Sequence, residues 1–222
     1  MEEKYLKAIT TENNIYRELQ QEVQVPATTN TGWKELDEAL DWLCMGAEKI
    51  LDFGCGNGSM LFHCALRGTK EHLGIDLAEE GIRLARLRAE KMPAGNYRFL
   101  EGSSEALSGE PDSSVDSVIL SNILDNLYPE DAETVLNEVN RLLRPGGKLM
   151  VKLNPFLAEE QITEWGIRKI REDLLDDGLI LWNRSTEAWQ EYLKHWFSAE
   201  SYAEMWIPEA EQVNRIFCLR KK

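Results

Sequence analysis

At 222 residues the chain has the length of one domain with a substantial core, and 43% hydrophobic residues including seven Trp exclude a disordered chain. No run of about eighteen apolar residues occurs, which excludes a membrane-spanning helix of the usual kind. The net charge is −14, and ten Asp/Glu without one Lys or Arg lie between Glu101 and Asn140. Such a surface lacks the clustered cations that phosphate backbones demand and argues against tRNA, rRNA and DNA as substrates.

The start, MEEKYLKAITTENN, has no apolar core and does not read as a secretory signal. Cys44, Cys55, Cys64 and Cys218 show neither metal nor disulfide spacing, so the expectation is a cytoplasmic protein with small buried thiols. Residues 1–24 place Ile9, Ile15, Tyr16, Leu19 and Val23 on one helical face, and Pro26–Gly32 breaks that helix. A second amphipathic helix carries Trp33, Leu36, Leu40 and Leu43.

From Lys49 the rhythm changes. Strands are expected at Ile50–Phe53, His72–Ile75, Tyr97–Leu100, Val115–Leu120 and Leu149–Leu153, with helices near 58–67, 79–92 and 131–143. This alternation builds a parallel sheet covered on both faces, an α/β class. Arg144-Pro-Gly-Gly147 is a stop and turn before the fifth strand. Residues 157–176 read as a charged helix, and Leu179–Trp182 as an apolar run. Ser185 caps a helix over Thr186–Trp196, and 199–207 pairs antiparallel with a last strand, Val213–Leu219.

The chemistry concentrates in Lys49-Ile-Leu-Asp-Phe-Gly-Cys-Gly-Asn-Gly-Ser59, where a strand ends in an acid and Gly54, Gly56 and Gly58 precede a helix. Glycine at that turn lets a ligand approach the backbone at the carboxyl edge of the sheet. A dinucleotide site needs Gly at the sixth position, where Ser59 stands, and a P-loop needs a Gly-Lys-Ser/Thr ending, which is absent. The loop therefore approaches something other than a polyphosphate. Asp76, eighteen residues beyond Gly58, ends the second strand, where an acid can accept hydrogen bonds from both hydroxyls of a ribose.

Asp52-x-Gly-x-Gly-x-Gly58, Gly74-Ile-Asp-Leu77 and Arg144-Pro-Gly-Gly-Lys148 together resemble the class I S-adenosylmethionine methyltransferases over residues 46–154. The nearest branch is the small-molecule group related to quinone-biosynthesis methyltransferases. The resemblance implies a Rossmann-like, doubly wound, mostly parallel seven-stranded sheet with an antiparallel last strand. It also implies one methyltransferase domain over 1–222: a helical cap (1–45), a cofactor core (46–154), an insertion over the acceptor (155–185), and a C-terminal helix with a strand pair (186–222).

By position, the resemblance gives Asp52 the methionine amino group of S-adenosylmethionine and lines methionine and ribose with Gly54, Cys55 and Gly56, Gly58 completing the motif. Asp76 holds the ribose and Leu77 packs on adenine. Ser103 replaces an Asp that relatives use for the adenine amino group, so Ser103 or the Ser104 backbone takes that contact. Asn122 follows the fourth strand, where backbone meets the methionine amine. Ser121-Asn-Ile-Leu124 is not the Asn/Asp-Pro-Pro-aromatic sequence used on planar amide or base nitrogens.

The three His, at 63, 72 and 195, are scattered, and no metal is expected. No catalytic residue is assigned: displacement from a sulfonium needs alignment and exclusion of water, and a base only for an acceptor that arrives protonated. Acceptor-pocket candidates are Tyr16, Trp33, Asn126, Tyr128, Trp182 and Asn183. The implied activity is methylation of a small molecule, with S-adenosylhomocysteine as product, by a monomer or homodimer. A non-catalytic protein that binds either form of the cofactor stands as the alternative. A basic protein segment stays open as an acceptor, and an NAD-linked oxidoreductase is disfavoured by Ser59.

Overall fold

The computed structural model describes residues 2–19, 23–176 and 178–222. A 3-10 turn over Glu2–Tyr5 leads into α1 (Leu6–Leu19), and α2 spans Lys34–Cys44. Then come β1 (Lys49–Phe53), α3 (Ser59–Leu66), β2 (Glu71–Asp76), α4 (Glu79–Ala89), β3 (Asn96–Glu101) and β4 (Val115–Ser121). They are followed by α5 (Pro129–Leu142), β5 (Leu143–Leu153), α6 (Glu159–Glu164), β6 (Arg168–Arg171), β7 (Leu174–Asp176) and β8 (Ile180–Trp182). The chain closes with α7 (Thr186–Leu193), β9 (Phe197–Ile207) and β10 (Gln212–Lys221).

The main sheet has seven strands in the order β3-β2-β1-β4-β5-β10-β9. The first five in that order are parallel, and β10 is antiparallel to both β5 and β9. The doubly wound sheet with an antiparallel last strand is thus borne out. Its central strands are buried on both faces, which is why they read as continuous apolar runs rather than alternating ones. Leu51, Phe53, Val118, Leu120 and Val151 meet α5 and α7 on one side. Ile50, Ile119, Met150 and Ile216 meet α2, α3 and α4 on the other. Each fully buried Leu or Ile in these layers contributes about 1.5–3 kcal/mol, which dwarfs the isolated surface ion pairs at about 0–1 kcal/mol each.

Local signals set several boundaries. Ser185 caps α7, its Oγ accepting the Ala188 N–H at 3.2 Å. Pro129 opens α5 with Glu130 and Asp131 in the first turn, favourable at the positive end of a helix. The Pro-Gly-Gly turn lies inside β5 rather than before it: Leu143 pairs with Val115, Lys148 with Ser117, and the register shifts between them.

Two further expectations are corrected. The charged helix over 157–176 is only the short α6, followed by an antiparallel sheet β6-β7-β8. Gly166, at φ +64°, caps α6, and Ile167 N–H reaches back to Ile162 O. Beyond it Leu174 and Leu175 bury on opposite faces, which a strand permits and a surface helix does not. On α1, Ile15 and Leu19 are half exposed, and the inward face runs instead through Ile9, Glu12 and Tyr16. That helix is described to Leu19, and residues 20–22 lie outside the described residues.

His72 on β2 is buried and stacked on Tyr97 at 4.8 Å between ring centres. Its Nδ1 lies 3.1 Å from Asn96 O, which can only accept, so Nδ1 carries the proton and Nε2 accepts from Thr69 Oγ1 at 2.7 Å. Both nitrogens are satisfied in the neutral ring, and burial pushes the pKa down to about 4. A His lowered on folding contributes stability above its unfolded pKa, about 6.5, and loses it as pH falls toward 4. The loss should reach about 3 kcal/mol. Urea unfolding of wild type and His72→Gln at pH 7.5 and 4.5 checks this. The stability gap between them should shrink by most of that amount at the lower pH, and a constant gap would contradict the neutral assignment.

Candidate functional site

The turn after β1 is built from glycines in left-handed conformations. Gly54 stands at φ +79°, and a Cβ there would meet Ile123 at 2.9 Å. Gly54 and Cys55 N–H groups both donate to Ile75 O, at 2.8 and 3.1 Å, tying the turn to the end of β2. Asp76 completes the tie: Oδ2 accepts the Gly56 N–H and Oδ1 the Ala78 N–H, each at 2.7 Å. One carboxylate thus joins the two loops at the carboxyl edge of the sheet. It is 7% exposed, and burial raises its pKa against those bonds.

Behind the turn Asp52 is 1% exposed and its Oδ1 has no hydrogen-bond partner among the described residues. Burial and then the neighbouring Asp76 hold its pKa well above the usual carboxylate range. A buried acceptor without a donor is costly, and it fits a site that receives a cationic or N–H-bearing ligand. Cys55 is an inert thiol, pushed up by burial.

A polar chain crosses the ends of β4 and β5. Asn122, at φ +53°, accepts from Lys152 through Oδ1 and donates to Asn154 Oδ1 at 2.6 Å. Asn154 donates to Asn126 Oδ1 at 3.0 Å, and Asn126 donates to Ile180 O at 2.8 Å, which fastens β8 to this edge. Burial lowers Lys152 to about 8. Asp125 beneath is pushed up to about 6 by burial, its Oδ2 accepting the Asn154 N–H and its Oδ1 unpartnered among the described residues.

These groups border a cavity of about 400 Å³. Gly54, Asp76, Leu77 and Gly102 line one end; Asn122, Ile123 and Asn126 line the middle; Tyr5, Tyr128, Ile170 and Ile180 line the other. α1 covers it with Ile9, Glu12 and Tyr16, and Lys7 and Arg168 stand at the rim, both paired with Asp176.

The sequence candidates separate accordingly. Gly54, Asp76, Leu77, Asn122, Tyr16, Asn126 and Tyr128 line the cavity. Gly56, Gly58 and Asp52 form the turn and its backing rather than the wall. Ser103 and Ser104 are buried, Ser103 capping a 3-10 turn over Ser104–Gly109.

Three pocket candidates lie elsewhere. Trp33 precedes α2 and packs on its apolar layer. Trp182 donates to Asp173 at 2.8 Å and packs edge-on against Trp189 in the core. Asn183 is bonded in both directions to the Leu157 backbone. Glu12, Ile170 and Ile180 were missed. The spacing of Ala8, Glu12 and Tyr16 at i, i+4, i+8 was the readable signal for the first; nothing local marks the other two.

A family model described as a methyltransferase domain matches residues 46–201. The chain belongs to this methyltransferase family. Among curated relatives, it is 33% identical over 112 residues to a ubiquinone biosynthesis O-methyltransferase of Albidiferax ferrireducens, covering 49% of this chain and 43% of the relative. It is 31% identical over 110 residues to a tRNA N(3)-cytidine methyltransferase of Danio rerio, covering 47% and 31%. The matched part thus spans less than half the length of these relatives. Among solved structures, the 1,6-didemethyltoxoflavin-N1-methyltransferase of Burkholderia thailandensis superposes with a TM-score of 0.68 at 17% identity, covering 99% of this chain and 88% of that one. That likeness is one of fold. No helix among the described residues of the chain is long and apolar enough to cross a membrane.

Asp52 gives a prediction that separates ligand chemistry from stability. Asp52→Asn removes an uncompensated buried acid, so the empty protein should unfold about 2–4 °C higher, while ligand affinity at the turn falls. Differential scanning calorimetry checks the first effect. A lower midpoint would mean that Asp52 is structurally satisfied.

Proposed function

We propose that this methyltransferase binds S-adenosylmethionine at the Gly54–Asp76 end of the cavity and methylates a small molecule held at the Tyr128–Ile180 end. The observation that carries the reading is the buried, unpartnered Asp52 Oδ1 behind a glycine turn that Asp76 clamps. A methionine ammonium would supply the donor that Asp52 lacks. Asp76 accepts the Gly56 N–H on one oxygen and the Ala78 N–H on the other, and its remaining lone pairs would accept from a ribose diol. Leu77 would pack on adenine, and the left-handed Asn122 would present backbone to the methionine end.

The cofactor, when bound, supplies a methyl group on a sulfonium already activated for in-line displacement. The chain has to place the acceptor in line and keep water out. α1 and the β6-β7-β8 sheet close over the cavity from two sides, and Asn126 holds β8 in place. Tyr128, Ile170 and Ile180 offer an apolar wall suited to a ring or short chain. The enclosed volume and the acidic composition favour a small acceptor over a nucleic acid.

The cofactor assignment predicts binding of S-adenosylhomocysteine with a dissociation constant of about 1–100 µM and none of NAD; calorimetry giving the opposite preference would overturn it. The acceptor assignment predicts that tritium from labelled S-adenosylmethionine, incubated with cell extract, enters the low-mass fraction. Ile170→Trp, which fills the acceptor end, should cut that transfer about tenfold or more while S-adenosylhomocysteine affinity stays within about threefold. Label appearing in RNA or protein instead would refute a small acceptor.

A further inference from the structure

α1 differs from the other long helices in what it packs on. None of its residues is fully buried, although Ala8, Ile9, Glu12 and Tyr16 all face inward. What lies beneath them is the cavity. The helix is fastened by polar contacts near its two ends. Lys4 pairs with Asp131 at 2.7 Å and Lys7 with Asp176 at 3.3 Å. At the other end Asn13 accepts the Glu80 N–H at 2.9 Å and Arg17 pairs with Glu80 at 3.0 Å. Asp131 is buried, but the basic partner of each pair is exposed, and exposed pairs are worth about 0–1 kcal/mol each, a weak hold compared with a buried apolar face.

The seat for Tyr16 is cut into the glycine turn itself. A Cβ on Gly56 would meet Tyr16 Oη at 2.2 Å, and one on Gly81 of α4 would meet its ring at 2.9 Å. One helical turn earlier, Glu12 is half-buried and lines the same cavity as Asp76. Its carboxyl accepts no hydrogen bond from the described residues, and burial followed by Asp76 pushes its pKa up to about 7. Two carboxyl groups thus line one cavity, and among the described residues Glu12 has no donor.

We propose that the inner face of α1 is a wall of the cofactor site, with Glu12 accepting a hydrogen bond from a nucleoside hydroxyl opposite Asp76. This rests on the placement of the ribose at Asp76. Bound nucleoside then separates the two carboxyl groups and gives α1 the packed surface that the protein core does not. The same helix carries Ile9 and Ala8 toward the acceptor end, so filling the cofactor end also sets one wall of the acceptor pocket.

Calorimetric titration of the full chain with S-adenosylhomocysteine tests the assignment, together with hydrogen exchange of residues 6–19 with and without that ligand. Glu12→Ala should weaken binding about tenfold or more. The loss should be equal for 5′-methylthioadenosine, which keeps the ribose and lacks the amino acid. Exchange in α1 should slow on binding. The empty Glu12→Ala protein should unfold no earlier than wild type, since the side chain it loses makes no hydrogen bond, and Glu12→Gln should retain part of the affinity. Wild-type affinity in Glu12→Ala, a loss confined to S-adenosylhomocysteine, or unchanged exchange in α1 would each overturn the inference while leaving the cofactor reading intact. A wild-type protein that binds neither ligand would instead overturn the cofactor reading, and this inference with it.

Discussion

The carboxylate of Asp76 bridges the Gly56 N–H of one loop and the Ala78 N–H of the next, and the carboxyl edge of the sheet depends on that bridge. Left-handed glycines leave the β1–α3 turn free to take many paths, and the bonds to Ile75 O and Asp76 select one. With the turn fixed, Gly54 lines the cavity beside Phe53 and Asp52 is trapped behind them. Hydrogen bonds to a charged group at about 1.5–3 kcal/mol each offset the desolvation of Asp76. Asp52 has no such return, since its Oδ1 is left bare.

That asymmetry runs through the whole site. Asp52, Asp125 and Glu12 all have raised pKa values with burial as the first cause, and all stand at or beneath the cavity. Uncompensated polar groups cost stability, so their grouping at one edge marks where the structure departs from optimal folding. The apolar layers on either face of the sheet carry that cost. A ligand with donors in the right places recovers part of it on binding.

The sequence disclosed this edge because its signals are local. Gly54, Gly56, Gly58 and Asp76 sit at or just beyond strand ends whose apolar runs admit one reading, and the five parallel strands of the sheet follow from the same rhythm. The insertion was not legible in the same way. Arg168 to Asp176 carries charges at spacings that suit a helix, and only Gly166 and the split burial of Leu174 and Leu175 choose strands. Trp182 reads as a pocket residue for want of any local sign that Trp189 packs edge-on against it. On α1 the apolar residues found only part of the inward face: Ile9 and Tyr16 lie on it and Ile15 and Leu19 do not, because that face includes Glu12 and covers a cavity rather than a core. Periodicity finds faces that pack on protein; it does not find those that pack on a ligand.

The most direct test of the account is a crystal structure of the chain grown with S-adenosylhomocysteine. The account predicts the amino nitrogen of the ligand within hydrogen-bond distance of Asp52 Oδ1 or one water from it. It also places both ribose hydroxyls at Asp76, with the Gly56–Asp76 and Ala78–Asp76 bonds unbroken. A ligand bound elsewhere, or one seated at the turn with Asp52 Oδ1 still lacking a donor, would contradict it.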